Sequence, residues 1–138
     1  MAIRRADIEE RIYKVREHLR FLEKHGADCE EIFENDPILK DALLYNLYLL
    51  SDRVVRLAEA VCKYKNAGYP ETYSGFIYRL GEIGVLEKAF AYRFAAIARF
   101  RNFLAHENDA IDEKEICKAM VEGQPDVERF LENVEQAL

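Results

Sequence analysis

Glycine and proline are scarce, six and three residues in a chain of 138. That shortage speaks against a turn-rich sheet protein, and the abundance of Ala, Leu, Glu, Lys and Arg favours helices. The three cysteines, Cys29, Cys62 and Cys117, are an odd number without CxxC spacing. A disulfide framework and a zinc knuckle are therefore not expected, and reduced thiols in a cytoplasm are. The first ten residues, MAIRRADIEE, lack the apolar core of a signal peptide, and no apolar run is long enough to span a membrane. Internal repeats and low-complexity segments are missing too. The formal net charge of −6 excludes a whole-domain basic footprint for nucleic acid. The charge is uneven, however. Between Val85 and His106 the only acid is Glu87, against Lys88, Arg93, Arg99 and Arg101, whereas acids dominate from Glu107 onward.

What is present is a hydrophobic half and a helical rhythm. The length fits one domain, residues 1–138, with a sizeable core. Ile8, Ile12, Val15, Leu19 and Leu22 form one stripe of a first helix ending near His25-Gly26. After a short acidic linker, Asp36-Pro37 reads as a cap with proline in the first turn. A long helix follows from about Ile38 to Lys65, with the stripe Leu39, Leu43, Leu47, Leu50, Val54, Leu57 and Val61. Its other side carries Tyr45, Tyr48, Asp52 and Arg56, the last two spaced to pair across one turn. The stretch 66–70 breaks it. Thr72 or Ser74 then caps a shorter helix punctuated by Gly84, and another runs from Val85 to about His106. Asp112 opens a last helix, which is interrupted at Gly123-Gln124-Pro125. The expectation is an all-α, up-down bundle of about five helices.

The stretch Arg99-Phe-Arg-Asn-Phe-Leu-Ala-His106 sets charge among core residues. On a wheel of about 100° per residue, Arg93 falls inside the apolar arc of Leu86, Phe90, Ile97, Phe100 and Leu104, and Arg101 lies at its edge. Buried arginine needs a partner. The far side gathers Arg99, Asn102 and His106, flanked by Tyr92 and Phe103. A helix that is apolar or specifically polar nearly all round is central, or is covered by another chain. A homodimer with this helix near its seam is the expectation. Arg101 and His106 are about 140° apart on an ideal helix, whereas Asn102 and His106 share a face.

In order and spacing, four segments resemble the HepT-like branch of the HEPN superfamily: Pro70-Glu71-Thr72-Tyr73, Leu80 to Leu86 (LGEIGVL), Phe100 to His106 (FRNFLAH) and Ile111-Asp112. Arg101 to His106 matches its Rx4–6H motif with four intervening residues. The resemblance runs from about Leu43 to Ile116. It implies an all-α toxin of a toxin–antitoxin pair: a metal-independent endoribonuclease, without cofactor, acting as a homodimer whose two motifs face one cleft. It also implies a small nucleotidyltransferase antitoxin (MntA-like), encoded next door, that binds and adenylylates the toxin. Carried over, Arg101 and His106 are the catalytic pair and Asn102 the polar residue beside them. Asp52 falls near an acidic position of the long helix, and Asp52 and Arg99 are the candidate substrate-binding residues. The pattern usually continues His-x-Tyr, that tyrosine being the adenylylation acceptor. Here Asn108 stands in its place, and no tyrosine follows.

Those residue types suit metal-free RNA cleavage. Histidine can act as base or acid near neutral pH, and an arginine fork can stabilise a phosphorane-like transition state. DNA lacks the attacking 2′-hydroxyl. Simpler roles exist for the same residues. His106 could complement the C-terminal helix dipole, Arg101 could anchor a salt bridge to Asp52 or to an acid in the tail, and Arg93 is expected to do only that. His18 and His25 read as surface residues of the first helix. Two further readings stand beside the ribonuclease. One is a non-catalytic HEPN module that binds a nucleotidyltransferase partner and a nucleotide or phosphate. The other is a structural dimer pinned by the Arg101/His106 cluster.

Overall fold

The structure, a computed structural model, describes residues 2–106 and 112–138. Among these, eight helices and no strand are found: α1 (Arg5–Gly26), α2 (Cys29–Asn35), α3 (Pro37–Tyr64), α4 (Tyr73–Glu82), α5 (Lys88–Phe94), α6 (Ala96–His106), α7 (Glu113–Glu122) and α8 (Gln124–Gln136). The all-α bundle is as expected, with more pieces than the five read from sequence. The acidic linker is the short helix α2, whose seven residues are too few to display a stripe. The helix expected over Val85–His106 starts at Lys88 and is broken at Ala95 into α5 and α6. There the Ala98 N–H donates to the Ala95 carbonyl, a three-residue closure that tightens one turn.

The α1 stripe of Ile8, Ile12, Val15, Leu19 and Leu22 is fully buried, as are Leu43, Leu47, Leu50, Val54, Leu57 and Val61 of α3. These two stripes face each other and form the centre of the core. On the other side of α3 pack α4 and α6. Phe94 stacks on both Phe90 and Phe130, tying α5 to α8. Among the described residues no helix is long and apolar enough to cross a membrane.

The capping residues act where their spacing placed them. The Asp36 carboxylate accepts from Leu39 N–H at 3.0 Å, Thr72 Oγ1 from Gly75 N–H at 3.0 Å, and Asp112 from Lys114 and Glu115 N–H. Helix α4 closes with a left-handed residue, Gly84 at φ 84°. Val85 N–H then reaches the Leu80 carbonyl and Gly84 N–H the Gly81 carbonyl. Gly81 has a different reason to lack a side chain. A Cβ there would lie 2.8 Å from Ala91 Cβ, so α5 can lie against α4 only because this position is bare.

The cysteines correct the sequence reading. Cys29 and Cys117 are joined in a disulfide between α2 and α7, with Cα atoms 5.6 Å apart, and only Cys62 is a free thiol. An 88-residue separation hides such a neighbour from any local pattern. Cys62 is buried and points at the Phe76 carbonyl; burial pushes its thiol up to about 11. His18 is also not a plain surface residue. Its ring is half-buried between α1 and α3, within hydrogen-bond distance of Asn46 and Arg53.

Candidate functional site

The polar face of α3 and the middle of α6 meet around one carboxylate. Tyr48, Asp52 and Arg56 recur every four residues, so they stand one above another on α3. Asp52 Oδ2 accepts from Arg56 Nε at 2.9 Å, the pairing expected from spacing. Asp52 Oδ1 accepts from Arg101 Nε at 3.0 Å, and Arg101 Nη2 lies 2.9 Å from the same oxygen. The two-point contact uses the flat fork of the guanidinium, which a lysine could not match. Only 16% of the Arg101 side chain and 14% of Asp52 remain accessible. Two cations share one anion, so the cluster keeps a net positive charge. The carboxylate strengthens Arg56's hold on its proton, chiefly through the hydrogen bond.

Two tyrosines complete this pocket for Arg101. Its guanidinium carbon lies 5.5 Å from the Tyr48 ring centroid and 5.7 Å from that of Tyr73, the first residue of α4. Both distances suit attraction between a cation and an aromatic ring. Arg101 Nη1 also donates to Asn102 Oδ1 at 3.1 Å. The guanidinium is thus oriented from three helices before any ligand arrives. Tyr48 and Tyr73 were not read as site residues from sequence. The four-residue step from Tyr48 to Asp52 was the available signal for the first, and the place of Tyr73 in the Pro70–Tyr73 segment of the family pattern was the signal for the second.

The remaining candidates lie along α6. Asn102 and Arg99 are exposed and line a cleft of about 630 Å³ between α6 and the start of α4, with Glu59, Glu71 and Thr72 on its other walls. His106 is exposed at the last position of α6. Asp52 and Arg101 therefore meet directly and Asn102 touches Arg101, whereas Arg99 and His106 stand apart on the open face. Asn108, together with residues 107 and 109–111, lies outside the described residues. Arg93, expected in the apolar arc, is exposed and pairs with Asp126 of α8 at 3.1 Å. Helix α5 buries Phe90, Ala91 and Phe94, and Arg93 falls on their flank; one wheel run through the break at Ala95 into α6 misplaces it. Among the described residues no group of His, Cys, Asp and Glu is placed to hold a metal ion.

A family model described as Ribonuclease HepT-like matches residues 8–134. No curated protein matches the sequence. Among solved structures, an MntA–HepT toxin–antitoxin pair with a tyrosine-to-alanine substitution superposes with a TM-score of 0.82 at 15% identity, covering 94% of this chain and 98% of that one. A toxin–antitoxin structure with AMP-PNP gives 0.82 at 14% identity, covering 94% and 97%. The tri-AMPylated HEPN toxin of Shewanella oneidensis, in complex with MNT antitoxin, gives 0.82 at 15% identity, covering 94% and 96%. At such identities the likeness is one of fold.

Proposed function

Because this chain belongs to the ribonuclease HepT-like family, we propose that it is the toxin of a toxin–antitoxin pair and a metal-independent endoribonuclease. The observation that carries this reading is the preset Arg101, held by Asp52 and flanked by Tyr48 and Tyr73 on the helix that ends in His106. In this reading two copies of the chain bring their α6 faces together, and RNA lies between them. One neutral His106 takes the proton of a ribose 2′-hydroxyl, whose oxygen attacks the adjacent phosphorus. The bond to the 5′-oxygen breaks, and the partner's protonated His106 supplies the proton to that leaving oxygen. Products are a 2′,3′-cyclic phosphate and a 5′-hydroxyl. Arg101 uses N–H groups not directed at Asp52 to hold non-bridging oxygens as their charge grows. Asn102 holds Arg101 through its carbonyl oxygen, and Arg99 on the open face supplies a further cation for the strand.

The antitoxin partner is proposed to be a nucleotidyltransferase of the MntA type, as in the complexes to which this fold is similar. With Asn108 at the usual acceptor position, neutralisation works by binding rather than by modification of that residue. Purified protein should cut single-stranded RNA in excess chelator, leaving cyclic phosphate ends, and should spare DNA. His106→Ala should abolish the cut while retaining the helical spectrum. A His106→Ala protein as fast as wild type would overturn the proposal.

One observation favours a second reading, a non-catalytic module that binds the nucleotidyltransferase. Arg101 is largely enclosed and already engaged by Asp52 and Asn102. Under that reading expression without the partner does not arrest growth. Under the ribonuclease reading it does, and His106→Ala relieves it.

A further inference from the structure

A second cleft, about 510 Å³, opens between α1 and α3 on the far side of Asp52. Four cations line it, Arg11 and Lys14 from α1 and Arg53 and Arg56 from α3. Its three carboxylates are each engaged. Asp7 accepts from Arg4 N–H at 3.0 Å, Glu10 pairs with Lys14 at 3.4 Å, and Asp52 holds Arg56 and Arg101. Arg11 and Arg53 have no carboxylate partner among the described residues.

Arg53 is the more telling of the two. Its Nη1 lies 2.8 Å from His18 Nε2, His18 Nδ1 lies 2.9 Å from Asn46 Oδ1, and Asn46 Nδ2 donates to the Ala42 carbonyl at 2.8 Å. A guanidinium can only donate. The His18 Nε2 must therefore accept, Nδ1 carries the hydrogen, and the neutral ring donates to Asn46. The relay runs one way from Arg53 to Ala42. It fixes a half-buried arginine without cancelling its charge, which a carboxylate would have done. A fixed cation desolvated in this way is stabilised when an anion arrives from outside. In a chain of net charge −6, such a spot stands out against its surroundings. Asp52 walls the cleft and its carboxylate also holds Arg101, so one side chain stands between this opening and the motif.

We infer that the α1–α3 cleft is a phosphate-binding subsite that takes a backbone phosphate of the RNA strand beyond the bond being cut, with Arg53 as principal ligand and Arg11 as second. The inference rests on the ribonuclease reading, and its test separates the two. The probe is a fluorescein-labelled oligouridylate about a dozen nucleotides long, bound to full-length protein inactivated by His106→Ala and followed by anisotropy across a salt series. On that background, Arg53→Gln and the exposed Arg11→Gln should each weaken binding by about fivefold and make the salt slope shallower by about 0.7. Lys118→Gln, on the outer face of α7, should change neither. In otherwise wild-type protein, Arg53→Gln should slow cutting of the oligouridylate but leave cutting of a dinucleoside monophosphate, which has no flanking phosphate, unchanged. Unaltered affinity and slope in both arginine variants would overturn the subsite, as would absence of binding by the parent. An equal loss on the dinucleoside monophosphate would overturn its flanking position. If neither RNA is cut but the arginine variants still bind more weakly, the ribonuclease reading fails and the subsite stands.

Discussion

Asp52 governs the charge of the site. One oxygen meets Arg56, the other Arg101, and both Asp52 and Arg101 are mostly out of solvent. Asp52→Asn keeps the shape but leaves two guanidinium groups side by side with no anion between them. Loss of a charged hydrogen-bond acceptor in this setting costs about 2 kcal/mol. The urea midpoint should fall accordingly, and RNA cleavage should fall further than stability alone explains, because Arg101 is no longer aimed. Asp52→Asn protein with wild-type stability and rate would show that Tyr48, Tyr73 and Asn102 hold Arg101 without the carboxylate. The same logic explains which site residues were visible in the sequence. Arg101 and His106 stood out because charge on an apolar helix is anomalous. Tyr73 contacts Arg101 from a different helix, and His18 fixes Arg53 from across the α1–α3 seam; contacts of that kind leave no periodic mark.

At the scale of elements, the approach of α5 to α4 depends on Gly81, where an added methyl would meet Ala91 at 2.8 Å. Gly81→Ala should lower stability by about 1–3 kcal/mol, the range for forced overpacking, read as a lower thermal midpoint. An unchanged midpoint would mean α5 yields freely. The disulfide between α2 and α7 makes a second prediction. Cys29→Ser with Cys117→Ser opens a loop of 88 residues' separation, and chain entropy sets the upper figure for the loss at about 4.6 kcal/mol. Equilibrium unfolding of the double variant against the oxidised parent measures it, and equal stability would refute a bracing role. Helix ends were legible wherever a cap or break had its own chemistry, as at Asp36, Thr72, Asp112 and Gly123. The break at Ala95 was not, because alanine is the residue best suited to continuing a helix. Helix α2 was missed because acids outnumber its core contacts, Cys29 and Phe33.

For the molecule as a whole, the face of α6 that carries Arg99, Asn102 and His106 is open to solvent in a single copy. If the reaction needs two His106 side chains, specific activity depends on association. Rate per subunit should therefore fall on dilution as dimers separate, and the fall should coincide with the loss of mass seen by light scattering. A constant rate across that transition would place a complete site in one subunit. The disulfide has a topological consequence at this scale. With Cys29 and Cys117 joined, α3 to α6, the Asp52–Arg101 pair and His106 all sit inside one covalent ring, from which α1 and α8 extend as tails. A single protease nick within that ring separates nothing, and the fragments migrate together on a gel until a reductant is added. A nick in either tail releases a piece at once, so the pattern of fragments with and without reductant reports which part of the chain was cut.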